Sequence, residues 1–178
     1  GKAVQTVNPP NASVGTAQLV DDAVTKDKVS NLMYPAFEAY VNTAQNLSDS
    51  TGTKINFDGE IFDTDNMYDK TTNYRFTPTV AGKYFTYVNL IGDVNAGNEL
   101  NDLIVMLKKN GSVYRECNVI LLSNPQKRHF VTVNTIVDMN GSSDYLEVFG
   151  YHDSVSNFVL SIKTGTTQST FGAYRIGD

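Results

Sequence analysis

The sequence is poor in the residues that usually carry redox chemistry, metal binding and nucleophilic catalysis. Its 178 residues include one cysteine, two histidines and no tryptophan. A single cysteine excludes an internal disulfide framework and any zinc cluster built on cysteines. Because no histidine lies near Cys117 in the sequence to activate its thiol, we interpret this residue as a small side chain in a strand.

Charge is also scarce. Only 19% of the residues are charged, and the formal net charge is −5. An acidic chain argues against a nucleic-acid partner, because phosphate binding requires a basic surface. No apolar run approaches the roughly 20 residues of a membrane span, so we expect no membrane insertion. The hydrophobic fraction of 40% excludes global disorder, and the length suits one domain with a short appendage.

The chain is instead rich in tyrosine and phenylalanine, ten and nine residues respectively, which favour β-strands. The clearest local signal is Asn110-Gly111 between the apolar runs 103–109 and 112–115, a pattern typical of a β-hairpin. Further strands are predicted at 37–41, 55–57, 60–62, 83–91, 130–137, 145–149, 157–162 and 170–176. About eight to ten short antiparallel strands at regular spacing predict an all-β sandwich or jelly roll.

Residues 1–34 have a different composition, with Tyr34 as their one aromatic residue. A proline pair at 9–10 predicts an extended or turned start, and Thr25 is a plausible N-cap for a short helix. Such a segment buries too little surface to fold alone. We therefore divide the chain into an N-terminal arm or stalk, 1–34, and a β domain, 35–178. The apolar residues expected to make the arm's trimerisation and assembly contacts are Val14, Leu19, Val24, Val29 and Leu32.

Six segments of the β domain match, in order, the strands of a known fold. They are 35–40 (PAFEAY), 55–58 (INFD), 67–69 (MYD), 76–85 (FTPTVAGKYF), 107–111 (LKKNG) and 169–174 (STFGAY). Together they resemble the C1q-like domain, a jelly roll related to tumour necrosis factor. Two departures mark a distant relative: residues 73–75 (NYR) precede Phe76 where the family commonly has a glycine, and Gly172 directly follows Phe171. The resemblance implies a homotrimer, and several family members bind calcium.

A second resemblance lies in the arm, at residues 13–29 (SVGTAQLVDDAVTKDKV). The sequence Gly-Thr-x-Gln-Leu, followed by Asp-x-Ala-Val-Thr and Lys-Val, resembles a linker in bacteriophage tail-fibre and virion proteins. In those proteins the linker lies just before a C-terminal knob. The resemblance implies a virion component, on a tail fibre or the capsid exterior, whose residues 1–34 contact other virion proteins.

An acidic segment, 57–69, is the strongest candidate for chemistry. Its carboxylates are Asp58, Glu60, Asp63, Asp65 and Asp69. Oxygen ligands at Asp58, Asp63, Asp65 and Asp69 could hold calcium, although the glycine and the closing glutamate of a typical calcium loop are missing. Paired carboxylates could also serve a glycosidase, and the simplest interpretation is a solvated loop. We expect no other cofactor.

Catalytic motifs are otherwise lacking, so we expect no enzyme. His152 beside Asp153 could form half of a catalytic pair, but no nucleophile accompanies it, and a histidine hydrogen-bonded within a turn is the simpler interpretation. The leading hypothesis is a non-enzymatic phage structural protein, a trimeric fibre knob that binds a host-surface receptor or glycan. Exposed aromatics such as Tyr145 and Tyr151 would stack on sugars. The alternative is a trimeric capsid decoration or cement protein anchored by the arm, and the third hypothesis is a glycan-active enzyme.

Overall fold

The computed structural model describes residues 34–95 and 97–177, which form two antiparallel β-sheets packed face to face. The strands are β1 (Ala36–Tyr40), β2 (Gln45–Leu47), β3 (Thr53–Lys54), β4 (Gly59–Asp63), β5 (Tyr68–Asp69), β6 (Arg75–Phe76), β7 (Gly82–Val94), β8 (Leu100–Lys109), β9 (Ser112–Ile120), β10 (Arg128–Met139), β11 (Leu146–Ser154), β12 (Leu160–Ile162) and β13 (Thr170–Gly177). The all-β jelly roll predicted from the sequence is confirmed. The strand number exceeds the prediction because several strands have only two or three residues, too few for an alternating pattern.

The first sheet has the order β2-β12-β7-β13-β1-β4, and β10 pairs with the other side of β7. The second sheet has the order β5-β6-β11-β8-β9, with β3 paired to β11. β10 pairs with β7 from Gly82 to Asp93, almost the full length of the strand. Within the described residues β10 and β9 are therefore edge strands of the two sheets, and they lie next to each other at one side of the sandwich.

An aromatic cluster between the sheets explains several of the segments that carried the sequence resemblance. The Phe37 ring stacks on Tyr68 and Phe76, with centroids 4.8 and 4.7 Å away, and meets Phe171 edge-on at 5.0 Å. Phe76 also contacts Tyr84, whose hydroxyl donates a hydrogen bond to the carbonyl of residue 80. Strands β1, β5, β6, β7 and β13 are thus joined by aromatic contacts worth about 0.5–1.5 kcal/mol each beyond burial.

The hairpin between β8 and β9 is confirmed. Asn110 and Gly111 have φ values of 52° and 82°, the two left-handed residues of a type I′ turn. The Asn110 side chain also accepts a hydrogen bond from the Tyr145 N–H and donates one to Asp144. These contacts tie the turn to the start of β11.

Residues 55–57 are not a strand, contrary to the prediction. Ile55 and Phe57 are fully buried, as their alternation suggested, but regular pairing ends with β3 after one further hydrogen bond, from the Ile55 N–H to the Val148 carbonyl of β11. The Gln45 side chain satisfies the backbone groups that a neighbouring strand would otherwise bind. Its amide NH2 donates to the Lys54 carbonyl, and its oxygen accepts a hydrogen bond from the Asn56 N–H. The alternation of apolar residues at 55–57 therefore predicted burial correctly but did not predict strand pairing.

The predicted arm lies, apart from Tyr34, outside the described residues, and so do its assembly residues Val14, Leu19, Val24, Val29 and Leu32. Among residues 34–95 and 97–177 there is no helix. Accordingly, this part of the chain contains no helical segment able to cross a membrane.

Candidate interaction surfaces

Strand β7 carries large side chains on both of its faces. Tyr84, Val88 and Leu90 point into the core and are fully buried. Phe85 and Tyr87 alternate with them on the outer face of the first sheet and remain partly exposed. A strand that is apolar on both faces is typical of a sheet covered on both sides. The outward positions of β7 also include the polar residues Lys83, Asn89 and Asp93, so its outer face carries an apolar patch at Phe85, Tyr87 and Ile91.

The strand register continues this apolar surface across the sheet. Ala36 pairs with Tyr174, Tyr174 with Phe85, and Phe85 with Ile136, so the four side chains lie side by side on β1, β13, β7 and β10. We call these four residues the aromatic row. The Phe85 and Tyr174 ring centroids are 5.4 Å apart. Tyr174, in the interior of the sheet, is nevertheless 46% exposed, and Ile136, on the edge strand β10, is 51% exposed.

The adjacent row contains Tyr87, flanked by Gly172 on β13. A Cβ at Gly172 would lie 2.3 Å from the Tyr87 hydroxyl oxygen, so the ring occupies the space that this glycine leaves open. Burial, the negative charge of Glu38 and a hydrogen bond to Glu38 raise the pKa of Tyr87 to about 12. The position of Gly172, a departure from the family pattern, therefore makes room for an aromatic ring on the outer face.

A second exposed apolar surface lies on the edge formed by β9 and β10. We call it the apolar edge, and its members are Tyr114, Ile120, Leu122 and Phe130. Leu122 and Phe130 are 68% and 65% exposed. The Tyr114 hydroxyl donates a hydrogen bond to the Ile136 carbonyl, which connects this edge to the aromatic row.

An open groove of about 1000 Å³ lies at one end of the apolar edge. Ile91, Ile120, Leu122 and Phe130 form much of its wall, and Arg128 lies at its rim. Arg128 forms an ion pair with Asp93. The hydrogen bond from Arg128, together with the charge of Lys163, lowers the pKa of Asp93 although burial acts in the opposite direction. The groove is therefore mainly apolar, with its nearby charge already neutralised.

The two tyrosines predicted to recognise a surface both lie on the outer face of the second sheet, away from the aromatic row. Tyr151 is on β11 opposite Ile104 of β8. Tyr145 immediately precedes β11, and the Arg75 guanidinium lies over its ring, 4.6 Å from the centroid. Both are partly exposed. Their predicted role in binding sugars stays a prediction, but the structure does place them on one face.

The structure does not gather the acidic residues predicted to bind calcium into one site. Asp58 accepts hydrogen bonds from the N–H groups of Asn42 and Thr43, and Asp63 accepts one from the Tyr68 N–H at 2.8 Å. Within residues 34–95 and 97–177, no three acidic, histidine or cysteine side chains form a group able to hold a metal. The loop carboxylates Asp58 and Asp63 instead hold local backbone in place, and calcium binding stays a prediction.

Asp69 is the carboxylate that holds the most backbone N–H groups of this loop. It accepts hydrogen bonds from the N–H groups of Thr71, Thr72 and Asn73 and from the side chains of Thr71 and Asn73. The Thr72 N–H, followed by the other backbone donors, holds the pKa of Asp69 well below its usual range despite partial burial. Asp65, the remaining predicted ligand, lies in the preceding turn, and its N–H donates to Asp63. For Asp58, burial alone would raise the pKa, but hydrogen bonds from Thr43 and Asn42 lower it.

His152 is not in a turn, contrary to the prediction. It lies on β11, is fully buried, and its Nε2 is 2.9 Å from the Phe158 carbonyl oxygen. Ser154, the nearest hydroxyl along the strand, donates to Asp49 rather than to the imidazole. Cys117, by contrast, lies on β9 and packs partly against the core, as expected for a small strand residue.

Sequence reasoning missed the aromatic row and the apolar edge as functional surfaces. One signal was present, because residues 84–91 of β7 are almost continuously apolar or aromatic, unlike a strand with one face in water. The residues that lie beside Phe85 could not be predicted from the sequence, because they depend on the register between strands.

Comparisons with known proteins agree with this architecture. No protein-family model matches the chain, and no curated protein matches it by sequence. Solved structures do match it in shape. The globular domain of zebrafish complement 1qA has 14% sequence identity and a TM-score of 0.56, over 80% of this chain and 97% of that one.

The described domain has the C1q/TNF-like jelly-roll fold. The Eiger TNF structure from S. frugiperda has 12% identity and a TM-score of 0.58, over 82% of this chain and 94% of that one. Murine APRIL has 9% identity and a TM-score of 0.55, over 81% and 100%. At these identities the likeness shows the C1q/TNF-like jelly roll as a fold and carries no activity with it.

Proposed function

We propose that this C1q/TNF-like domain forms a homotrimer and is the non-enzymatic knob of a bacteriophage virion protein that binds a host surface. The observation that carries the trimer is the aromatic row, which continues onto the apolar edge through the contact between Tyr114 and Ile136. The two surfaces are different, so one protomer would contact the next through unlike patches. Repeating such a contact closes a ring when the rotation allows it.

Covering this exposed apolar surface would favour association. Burying a large apolar side chain completely is worth about 1.5–3 kcal/mol, and about half of that remains for one that is half-exposed. The contributing side chains, Tyr114, Ile120, Leu122, Phe130, Ile136 and Tyr174, are all at least 40% exposed. Each protomer in a ring takes part in two contacts, and the groove beside Phe130 would be covered in the same step.

The virion role is supported by the sequence of residues 13–29, which resembles a phage fibre linker. A trimer also presents three equal binding sites, so weak individual affinities would combine effectively on a cell surface. The non-enzymatic character is supported by the burial of His152 and by a Ser154 hydroxyl engaged with Asp49.

Light scattering of the full chain tests the trimer, with a mass of three 19.6 kDa protomers expected. A monomer at micromolar concentration would contradict it. Imaging of labelled virions tests the location: signal on the tail supports the fibre knob, and signal distributed over the head would replace it with a capsid decoration protein. New reducing ends after incubation with host polysaccharide would show an enzyme instead.

A further inference from the structure

Four charged residues form a cluster on the outer face of the second sheet. Glu147 on β11 is opposite Arg75 on β6 and opposite Lys108 on β8, so the three side chains form one row across the sheet. Lys54, on β3, reaches the same row and forms an ion pair with Glu147. Three cations therefore surround Glu147, and the adjacent row of the same face adds the carboxylate of Glu116, on a protein whose net charge is −5.

Lys54 is the cation that neutralises Glu147. Its ammonium group also donates a hydrogen bond to the Asn73 carbonyl at 2.9 Å. Glu147 is itself nearly buried, with 8% exposure. This pair is consequently part of the framework of the sheet.

Arg75 and Lys108 are held differently, over aromatic rings. The Arg75 guanidinium lies 4.6 Å from the Tyr145 ring centroid, and the Lys108 ammonium lies 3.8 Å from that of Phe149. Within the described residues neither cation forms an ion pair. A ring orients a cation through its π face without neutralising its charge, so both cations keep the capacity to bind an anion.

The loop before Arg75 is held in one conformation. Tyr74 has φ of 48°, a left-handed conformation that is unfavourable for a bulky residue. The hydrogen bonds that Asp69 accepts from residues 71–73 stabilise this turn. Arg75 therefore leaves the loop in a defined direction, beside Tyr145 and in the same row as Lys108.

We propose that this cationic face, defined as Arg75, Lys108, Tyr145 and Phe149, binds an anionic carbohydrate polymer. The inference rests on the proposed host-surface role and names the ligand class. Arg75 and Lys108 lie on either side of Glu147 in one row across the sheet, and this spacing matches acidic groups that repeat along a sugar chain.

The test measures binding of the full chain to immobilised polygalacturonate, with neutral dextran as the uncharged reference. Replacement of both cations, Arg75→Gln with Lys108→Gln, is expected to lower affinity at least tenfold and to flatten its salt dependence. The charge-retaining pair, Arg75→Lys with Lys108→Arg, should keep most of the binding. Each lost ring contact is worth about 0.5–1 kcal/mol at an exposed site, so the variants should fold.

A matched control variant removes two positive charges from a different surface of the domain. Lys127→Gln with Lys163→Gln changes two cations at the far end of the first sheet, close to Asp93, and should leave polygalacturonate binding unchanged. Equal loss in both pairs would overturn the proposal, because it would show a response to net charge alone. Equal binding of dextran, or equally tight binding of double-stranded DNA, would overturn the carbohydrate specificity.

Light scattering of the same samples separates this inference from the proposed function. A trimer that binds polygalacturonate independently of Arg75 and Lys108 would refute the cationic face and leave the knob intact. A monomer that still loses binding on replacement of the two cations would support the cationic face and refute the trimer.

Discussion

The outer faces of the two sheets use aromatic residues in opposite ways. On the first sheet, the rings of Phe85 and Tyr174 lie against each other, and their neighbour in the row is Ile136. On the second sheet, two rings each lie beneath a cation, Tyr145 under Arg75 and Phe149 under Lys108. An aromatic ring with apolar neighbours is suited to complete burial by another protein surface, whereas a ring under a cation presents charge to the solvent. In the proposed function, the first face is the one that forms the protomer contacts and the second is the one that binds the ligand.

The strongest way to break this comparison is to place charge on the aromatic row. Tyr174→Asp combined with Ile136→Asp should convert the trimer to monomer, because each protomer contact would bury uncompensated carboxylates. Light scattering and sedimentation measure the mass. Tyr151→Asp, on the second face, is the matched control and should remain trimeric. If the row variant stays trimeric while the control dissociates, the two faces have been assigned the wrong way round.

A smaller effect is expected from Gly172→Ala. The new methyl group would displace the Tyr87 ring. Because the ring can rotate outwards, the fold should lose little stability. The displaced ring would protrude from the outer face of the first sheet. We expect weaker trimerisation and a lower pKa for Tyr87, closer to its ordinary value, because burial and the contact with Glu38 would be lost. Concentration-dependent light scattering and a tyrosine absorbance titration measure the two effects.

Gly97→Ala controls for the loss of a glycine, since a Cβ at Gly97 meets nothing within 4 Å. Unchanged trimer affinity in Gly172→Ala would show that Tyr87 lies outside the protomer contact.

The smallest expected effect is on stability, from a substitution in the second sheet. Asp69→Asn should lower the free energy of unfolding by about 1–2 kcal/mol at neutral pH, because one of the two accepting oxygens becomes an NH2 group that cannot accept the loop N–H bonds. The folded pKa of Asp69 lies below its unfolded value of about 3.9. Its stabilising contribution is therefore complete above about pH 4 and is lost as the pH falls through the folded pKa.

Denaturant unfolding of the wild type and of Asp69→Asn between neutral and acidic pH tests this pH dependence of the free energy of unfolding. The difference between wild type and Asp69→Asn should shrink below about pH 4. Asp65→Asn, in the preceding turn, should leave stability nearly unchanged. A difference that grows on acidification would contradict the assigned role of Asp69.

The sequence predicted the fold from local signals that do not depend on which strands are neighbours. The turn at Asn110-Gly111 is one example, because two residues with positive φ are needed wherever the hairpin lies. The alternation of Phe37 with polar neighbours is another, because it reports a buried face. Short strands such as β5 and β6 were missed because their pairing depends on contacts distant in sequence.

The candidate surfaces were only partly predictable for the same reason. Tyr145 and Tyr151 were singled out for their chemistry, and their common face follows from strand alternation. The aromatic row joins residues from four distant segments, and register alone brings Tyr174 beside Phe85. The acidic segment shows the same dependence on contacts distant from the pattern, because carboxylates close in sequence, such as Asp63 and Asp69, accept hydrogen bonds from separate backbone N–H groups.

The pairing of β1 with β13 has a consequence for modularity. Ala36 and Tyr174 are cross-strand partners, so the polypeptide enters and leaves the domain one strand spacing apart, about 5 Å. A domain with adjacent ends can be inserted into a surface loop of another protein, or exchanged between carriers, without disturbing the host chain. The jelly roll could therefore be moved between carrier chains as one unit.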